Sequence, residues 1–377
     1  MAVKRHIGKS IGNKSIFFTL SAILIVGLFL LYFSSISHLS GKEKHEVEET
    51  KITAVNNFAK NFETAYIPRA LYVVTNNALD SITDYLASQS KNGNKMYVNL
   101  SIAYPQAILN GTIYNPVSRK NETLSRMEDK TLLYWLNTLT NMSREKMGIY
   151  IEYNITKAVI TQAGPWKVNA TVFIEYNLTS ADLMQIIRKD APVSTEISIE
   201  GLYDPLVAVE TGGTYFRSIK RSDINIHDVN APKGKNFVEE LLNNETYIYQ
   251  NLAAPSFLMR FEKNLNASAC CGIESLITKE IVDRSPEKGY RSYVDYEYWM
   301  DDPNILCRGY KEMPNGEVLL EDNLDLYNVS GITQKDDPLT PENEKFDFKL
   351  DYLHAGHVYG IEMGSLSLIK NDKCRTT

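Results

Sequence analysis

Four cysteines, one close pair of histidines and three acidic loops are the residues of this 377-residue chain best placed for chemistry. The cysteines are Cys270, Cys271, Cys307 and Cys374, all in the last third. They lack the C-x2-C spacing of a zinc site, so disulfides are the expected chemistry. A bond between the adjacent Cys270 and Cys271 would be strained. The expectation is therefore two bridges, each joining one of that pair to Cys307 or Cys374, in either order. Closing loops of about 36 to 104 residues in this way contributes about 3.5–4.7 kcal/mol each on the entropic account.

His354 and His357 lie in DYLHAGHVYG. On a helix they would share a face suited to a metal ion. Gly356 and Gly360 point instead to a turn between strands, and no metal is expected. The acidic stretches Asp301-Asp302-Pro303-Asn304, Glu321-Asp322-Asn323 with Asp325, and Asp336-Asp337-Pro338 offer hard oxygen ligands of the kind Ca²⁺ takes. None has EF-hand spacing, and such residues are ordinary loop formers. The chain has no P-loop, no G-x-G-x-x-G, no G-x-S-x-G and no H-E-x-x-H. Gly212-Gly213 in ETGGTY reads as a turn. No residue stands out as catalytic, so no cofactor and no enzyme activity is expected. A hydrolase with carboxylates paired in space is the enzymatic alternative.

Asparagine carries the strongest compositional signal. N-x-[ST] occurs at Asn99, Asn110, Asn121, Asn141, Asn154, Asn169, Asn177, Asn244, Asn266 and Asn328. That is 10 of the 30 asparagines after residue 37, an enrichment that argues for N-glycosylation outside the cytoplasm.

The elements that must carry these residues begin with a basic tail, residues 1–15, containing Lys4, Arg5, Lys9 and Lys14 and no acid. Residues 16–37 are uncharged and long enough, at 1.5 Å per residue, to cross a bilayer. They read as a transmembrane helix or uncleaved signal anchor with the N-terminus inside; a cleaved secretory signal is the other reading. Without the four tail cations the chain keeps 36 basic against 46 acidic residues, a net charge of −10. That balance speaks against nucleic acid as a partner.

Residues 38–95 read as a helical stalk continuing from the membrane, interrupted at Pro68. Val47, Ile52, Val55, Phe58 and Phe62 form its apolar seam, available for packing against a second copy or against the chain's own head. Residues 96–235 read as an α+β head. Strands are expected near 97–103, 193–200 and 206–218, with helices at 124–142 and 181–188. The clearest feature is an antiparallel hairpin. Ile149, Ile151, Tyr153 and Ile155 alternate with polar residues before Gly164-Pro165, and Trp166 to Leu178 alternate after it. Asn154, Asn169 and Asn177 fall on its polar phase. Residues 219–236 are the expected domain boundary, and 236–377 a β-rich, disulfide-bonded C-terminal domain.

The basic opening KSIGNKSIFFTLSAILIVGLFLL, joined to a long amphipathic helix and a sequon-rich head, resembles the layout of type IV pilin-like proteins and archaeal surface proteins of that kind. The resemblance covers residues 1–90. It implies N-terminal helices that bundle and heads that face outward. The expected fold class is therefore α+β behind a transmembrane helix and stalk. The expected function is a non-enzymatic, single-pass cell-envelope glycoprotein that contacts the membrane, copies of itself or other envelope proteins. A membrane-anchored carbohydrate- or peptide-binding domain or hydrolase is the alternative.

Overall fold

The structure is a computed structural model. It describes Ile25 and residues 44–180, 185–224, 233–250, 252–283, 291–300, 309–312, 318–321, 326–333, 345–351, 353–362 and 366–369. Helix α1 (Lys44–Asn61) passes through a π-helical turn (Phe62–Tyr66) into α2 (Ile67–Lys91). Pro68 sits in the first turn of α2. Proline has no N–H to donate and crowds the turn before it, and the wide turn falls where that defect must be absorbed.

Helix α2 is the central helix of the core and not a projecting stalk. Ile67, Leu71, Val74, Ala78, Ile82 and Leu86, spaced by three and four, are all 0% exposed. The expected seam is used within the chain: Val55, Phe58 and Phe62 are buried, and the Phe62 ring meets Tyr176 edge-on at 5.0 Å. Ile52 is exposed, and Val47 lies in α1.

Around α2 follow α3 (Leu100–Asn110), the hairpin β1 (Thr112–Asn115) and β2 (Lys120–Thr123), and α4 (Leu132–Met147). Helix α3 replaces the strand expected near 97–103. The Asn99 side chain accepts a hydrogen bond from the Ser101 amide at 2.8 Å, Gly111 closes the helix at φ +66°, and Leu100, Ala103, Tyr104, Ala107 and Ile108 make its buried face. Strands β3 (Ile149–Gly164), β4 (Lys167–Ser180) and β5 (Gln185–Ser198) form one antiparallel sheet in that order. The expected hairpin is present, with Ile149 opposite Ser180 and Gly164 opposite Lys167. Val168, Ala170, Val172, Ile174, Tyr176 and Leu178 form its buried face, and the sheet lies against α2, α3 and α4. The strand expected at 206–218 is instead opened by helix α5 (Pro205–Glu210), which Asp204 caps by accepting from the Leu206 amide at 2.9 Å.

The remaining elements are α6 (Lys235–Asn244), β6 (Ile248–Tyr249), α7 (Phe257–Arg260), β7 (Ile273–Glu274), α8 (Lys279–Asp283), α9 (Asp295–Tyr298), β8 (Gly309–Glu312), β9 (Val318–Glu321), β10 (Leu326–Thr333), β11 (Lys345–Asp351), a π-helical turn (Leu353–Val358) and β12 (Ser367–Ile369). Strand β10 lies between β11 and β12. A second apolar core gathers Phe237, Leu241, Tyr296, Trp299, Phe348 and Leu350. The two cores interleave along the chain: Leu206 and Val207 belong to the second, whereas Phe257, Phe261 and Ile273 belong to the first.

The fold is thus α+β with small antiparallel sheets. The expected membrane-spanning helix running on into a stalk is corrected: among the described residues, no helix is long and apolar enough to cross a membrane. Residues 16–37 lie outside the described residues except for Ile25, as do Cys307, Cys374, Asp301–Asn304, Asp322–Asp325 and Asp336–Pro338.

Candidate functional site

The densest chemistry is a buried set of ionisable side chains beneath β11. Asp351 ends that strand and His354 follows in the π-helical turn, which places both on one side of the backbone. One Asp351 oxygen, Oδ1, accepts from the His354 amide at 3.1 Å and caps the turn. The other, Oδ2, lies 2.5 Å from His354 Nδ1 and accepts from the Ser292 hydroxyl at 3.0 Å. Across the ring, His354 Nε2 is 3.1 Å from Glu274 Oε2 and 3.2 Å from the Tyr296 hydroxyl. The Tyr359 hydroxyl donates to the second oxygen of Glu274 at 2.9 Å. Glu297 Oε1 is 3.7 Å from His354 Nδ1, and the Glu297 carboxyl hydrogen-bonds to Asp351 and Ser292. Glu274, Asp351 and His354 are each 0% exposed and Glu297 is 8% exposed.

A second centre adjoins the first. Arg260 Nη1 donates to Asp204 Oδ2 at 2.8 Å and to Asp295 Oδ2 at 2.7 Å, and Nη2 donates to the Ile273 carbonyl at 2.5 Å. The Tyr247 hydroxyl donates to Asp204 Oδ2 at 2.8 Å, and the Tyr247 ring lies 5.7 Å from the guanidinium. Arg217 Nη1 donates to Ser275 Oγ at 2.7 Å and to the Leu276 carbonyl at 2.8 Å. Helix α9 joins the centres residue by residue: Asp295 faces Arg260, and Tyr296 and Glu297 face His354.

The protonation states follow from burial and neighbours. Burial alone would lower the His354 pKa, but the carboxylates of Asp351, Glu274 and Glu297 raise it well above the ordinary value and hold the ring as a cation. Burial would raise Asp351, and the His354 cation beside it outweighs that and lowers it. Glu297 goes the other way: burial, then the charge of Asp351, push its carboxyl well up, so it keeps its proton. Burial also raises Asp295 despite Arg260, and burial with Glu274 raises Tyr359. The set can share a proton, or hold a cation through Glu297, Asp351 and His354, whose donor atoms lie within 4.8 Å of one another.

His354 is the only member that the sequence alone singles out, and it does occupy a turn after a strand; His357 lies in the same turn. Asp204, Arg217, Arg260, Glu274, Asp295, Glu297 and Asp351 are missed by motif. Of these only the Asp351-x-x-His354 spacing is a local signal; the other partners lie tens of residues apart.

The sequon asparagines are brought to the surface and not to this site. Asn99, Asn110, Asn121, Asn141, Asn154, Asn244 and Asn266 are exposed, and Asn169, Asn177 and Asn328 are half-buried. The cysteines correct the expected pairing: Cys270 and Cys271 are bonded to each other. A ring closed between neighbours restricts the unfolded chain far less than a bridge across a long loop. Reducing it, or replacing both cysteines by serine, is expected to lower stability by no more than about 1 kcal/mol, measured by urea unfolding. Peptide mapping without reductant is expected to return both residues in one fragment, two mass units below the dithiol. A fragment cross-linked to Cys307 or Cys374 would reject the pairing.

An apolar groove of 160 Å³ runs between α2 and α4, lined by Tyr66, Arg69, Val73, Trp135, Leu139 and Met142 together with Ile25. Ile25, from the apolar N-terminal run, is part of its wall. Comparison with protein families, with curated proteins and with solved structures finds no match to this chain.

Proposed function

We propose that this chain is a non-enzymatic glycoprotein of the cell envelope whose folded head makes contacts outside the cytoplasm, with other envelope proteins or with copies of itself. The observation that carries the reading is the exposure of seven of the ten sequon asparagines; Asn169, Asn177 and Asn328 are half-buried. A glycan needs its asparagine clear of the core, and the seven exposed positions meet that need. The disulfide between Cys270 and Cys271 is in keeping with an oxidising compartment. The sealed histidine–carboxylate set favours a structural role over catalysis, because no substrate reaches a residue with no exposed surface.

Glycopeptide mapping of protein from its native source tests the reading. Sugar is expected on most of the seven exposed asparagines, and less on Asn169, Asn177 and Asn328. Unmodified asparagine at all ten positions would reject it.

A further inference from the structure

We propose that Glu297, Asp351 and His354 form a binding site for a divalent transition-metal ion, with Zn²⁺ as the reference ion. The three donors come from α9, the end of β11 and the π-helical turn that follows. Their ligand atoms lie within 4.8 Å of one another. Zinc takes nitrogen at about 2.0–2.1 Å and carboxylate oxygen at about 2.0–2.2 Å, so neighbouring ligand atoms of a tetrahedral shell stand roughly 3.3 Å apart. The distances from His354 Nδ1 to Asp351 and Glu297, 2.5 and 3.7 Å, bracket that spacing.

Glu297 Oε1 and Asp351 Oδ2 both face His354 Nδ1, and all three side chains are more than nine-tenths buried. A single cation among them engages all three donors at once.

The surroundings match those of a metal-bound imidazole. With Nδ1 on the metal, Nε2 carries the remaining proton and donates it to Glu274, 3.1 Å away; the Tyr359 hydroxyl fixes Glu274 from the other side. A carboxylate behind the ligating histidine is the usual means of orienting it. The nitrogen donor selects a transition ion over Ca²⁺ or Mg²⁺, which take oxygen. The burial of all three donors makes the ion a structural tie between α9 and β11. Binding displaces the protons of His354 Nδ1 and Glu297 to solvent.

The test uses the full chain, purified, stripped with EDTA and titrated with zinc chloride. Expected are one equivalent of zinc per chain by mass spectrometry after gel filtration, and a melting temperature several degrees above that of the stripped protein. Glu297→Gln keeps the shape of the protonated acid, so it is expected to fold and to bind zinc at least about tenfold more weakly. Folded wild-type protein that retains no zinc, or Glu297→Gln that retains as much as wild type, overturns the proposal. If that variant does not fold, Co²⁺-loaded wild type decides. An intense visible band of a low-coordinate nitrogen–oxygen site supports the proposal, and the weak spectrum of hydrated Co²⁺ overturns it.

Discussion

Replacing Arg260 by methionine is expected to destabilise the protein by about 3–5 kcal/mol, enough to unfold much of it at ordinary temperatures. The side chain is fully buried and its Nη1 bridges Asp204 and Asp295, both 0% exposed. Methionine fills much of the same volume, so the loss is electrostatic and not a cavity. Two buried carboxyl groups would be left without their cation, and the Ile273 carbonyl without its donor. Asp204 also caps α5 and accepts from Tyr247, so the damage reaches both apolar cores. The control is Lys167→Met. Lys167 lies 2.9 Å from Glu196 with both side chains exposed, 59% and 62%, and such a pair is worth about 1 kcal/mol or less. Urea unfolding followed by circular dichroism measures both. A loss below about 1 kcal/mol at Arg260 would mean that the carboxyl groups relax without it.

Gly272→Ala is expected to cost at least about 3 kcal/mol, or to prevent folding, for a steric reason. A Cβ at Gly272 would stand 2.2 Å from the Gln250 carbonyl oxygen and 2.3 Å from that of Ala254. Both obstacles are backbone, and the backbone there is tied. The Gly272 carbonyl accepts from the Gln250 amide at 2.9 Å, the Ala254 carbonyl accepts from Ser268, and Ile273 donates to the Pro255 carbonyl. Any movement that admits the methyl group breaks these bonds in a buried segment. Gly164→Ala is the control. Its Cβ meets nothing within 4 Å and its backbone is not left-handed, so a change within about 0.5 kcal/mol is expected. Equal melting temperatures for the two variants would show that the β6–β7 region yields more easily than its hydrogen bonds imply.

The parts of this fold that were legible in the sequence are those whose pattern is local. The β3–β4 hairpin follows from two-residue alternation around Gly164-Pro165, and the register Ile149 to Ser180 bears it out. The apolar line of α2 was equally clear as a helix; its partner was not, because periodicity shows which face is buried and not what covers it. Residues 97–103 alternate weakly enough to read as a strand, and the Asn99 cap and Gly111 stop decide for α3. The buried charges were the least legible. Arg260 finds Asp204 and Asp295 from 56 and 35 residues away, and His354 finds Glu274 from 80. Only Asp351, three residues before His354, lay within reach of a sequence pattern. The Cys270–Cys271 bond was set aside on strain, an argument about an isolated ring that leaves out how the surrounding chain holds it.

The order β3-β4-β5 has a consequence for how this head meets other molecules. Among the described residues no further strand pairs with either outer strand, and an unpaired edge in a flat sheet invites a neighbouring chain to add a strand. Here that invitation is withdrawn twice. Strand β3 is kinked by a bulge between Ile155 and Lys157, next to the sequon at Asn154 whose sugar would overhang it. Strand β5 carries Pro192, which has no N–H to offer. An added strand would therefore meet a break on either edge, which disfavours the joining of these sheets edge to edge.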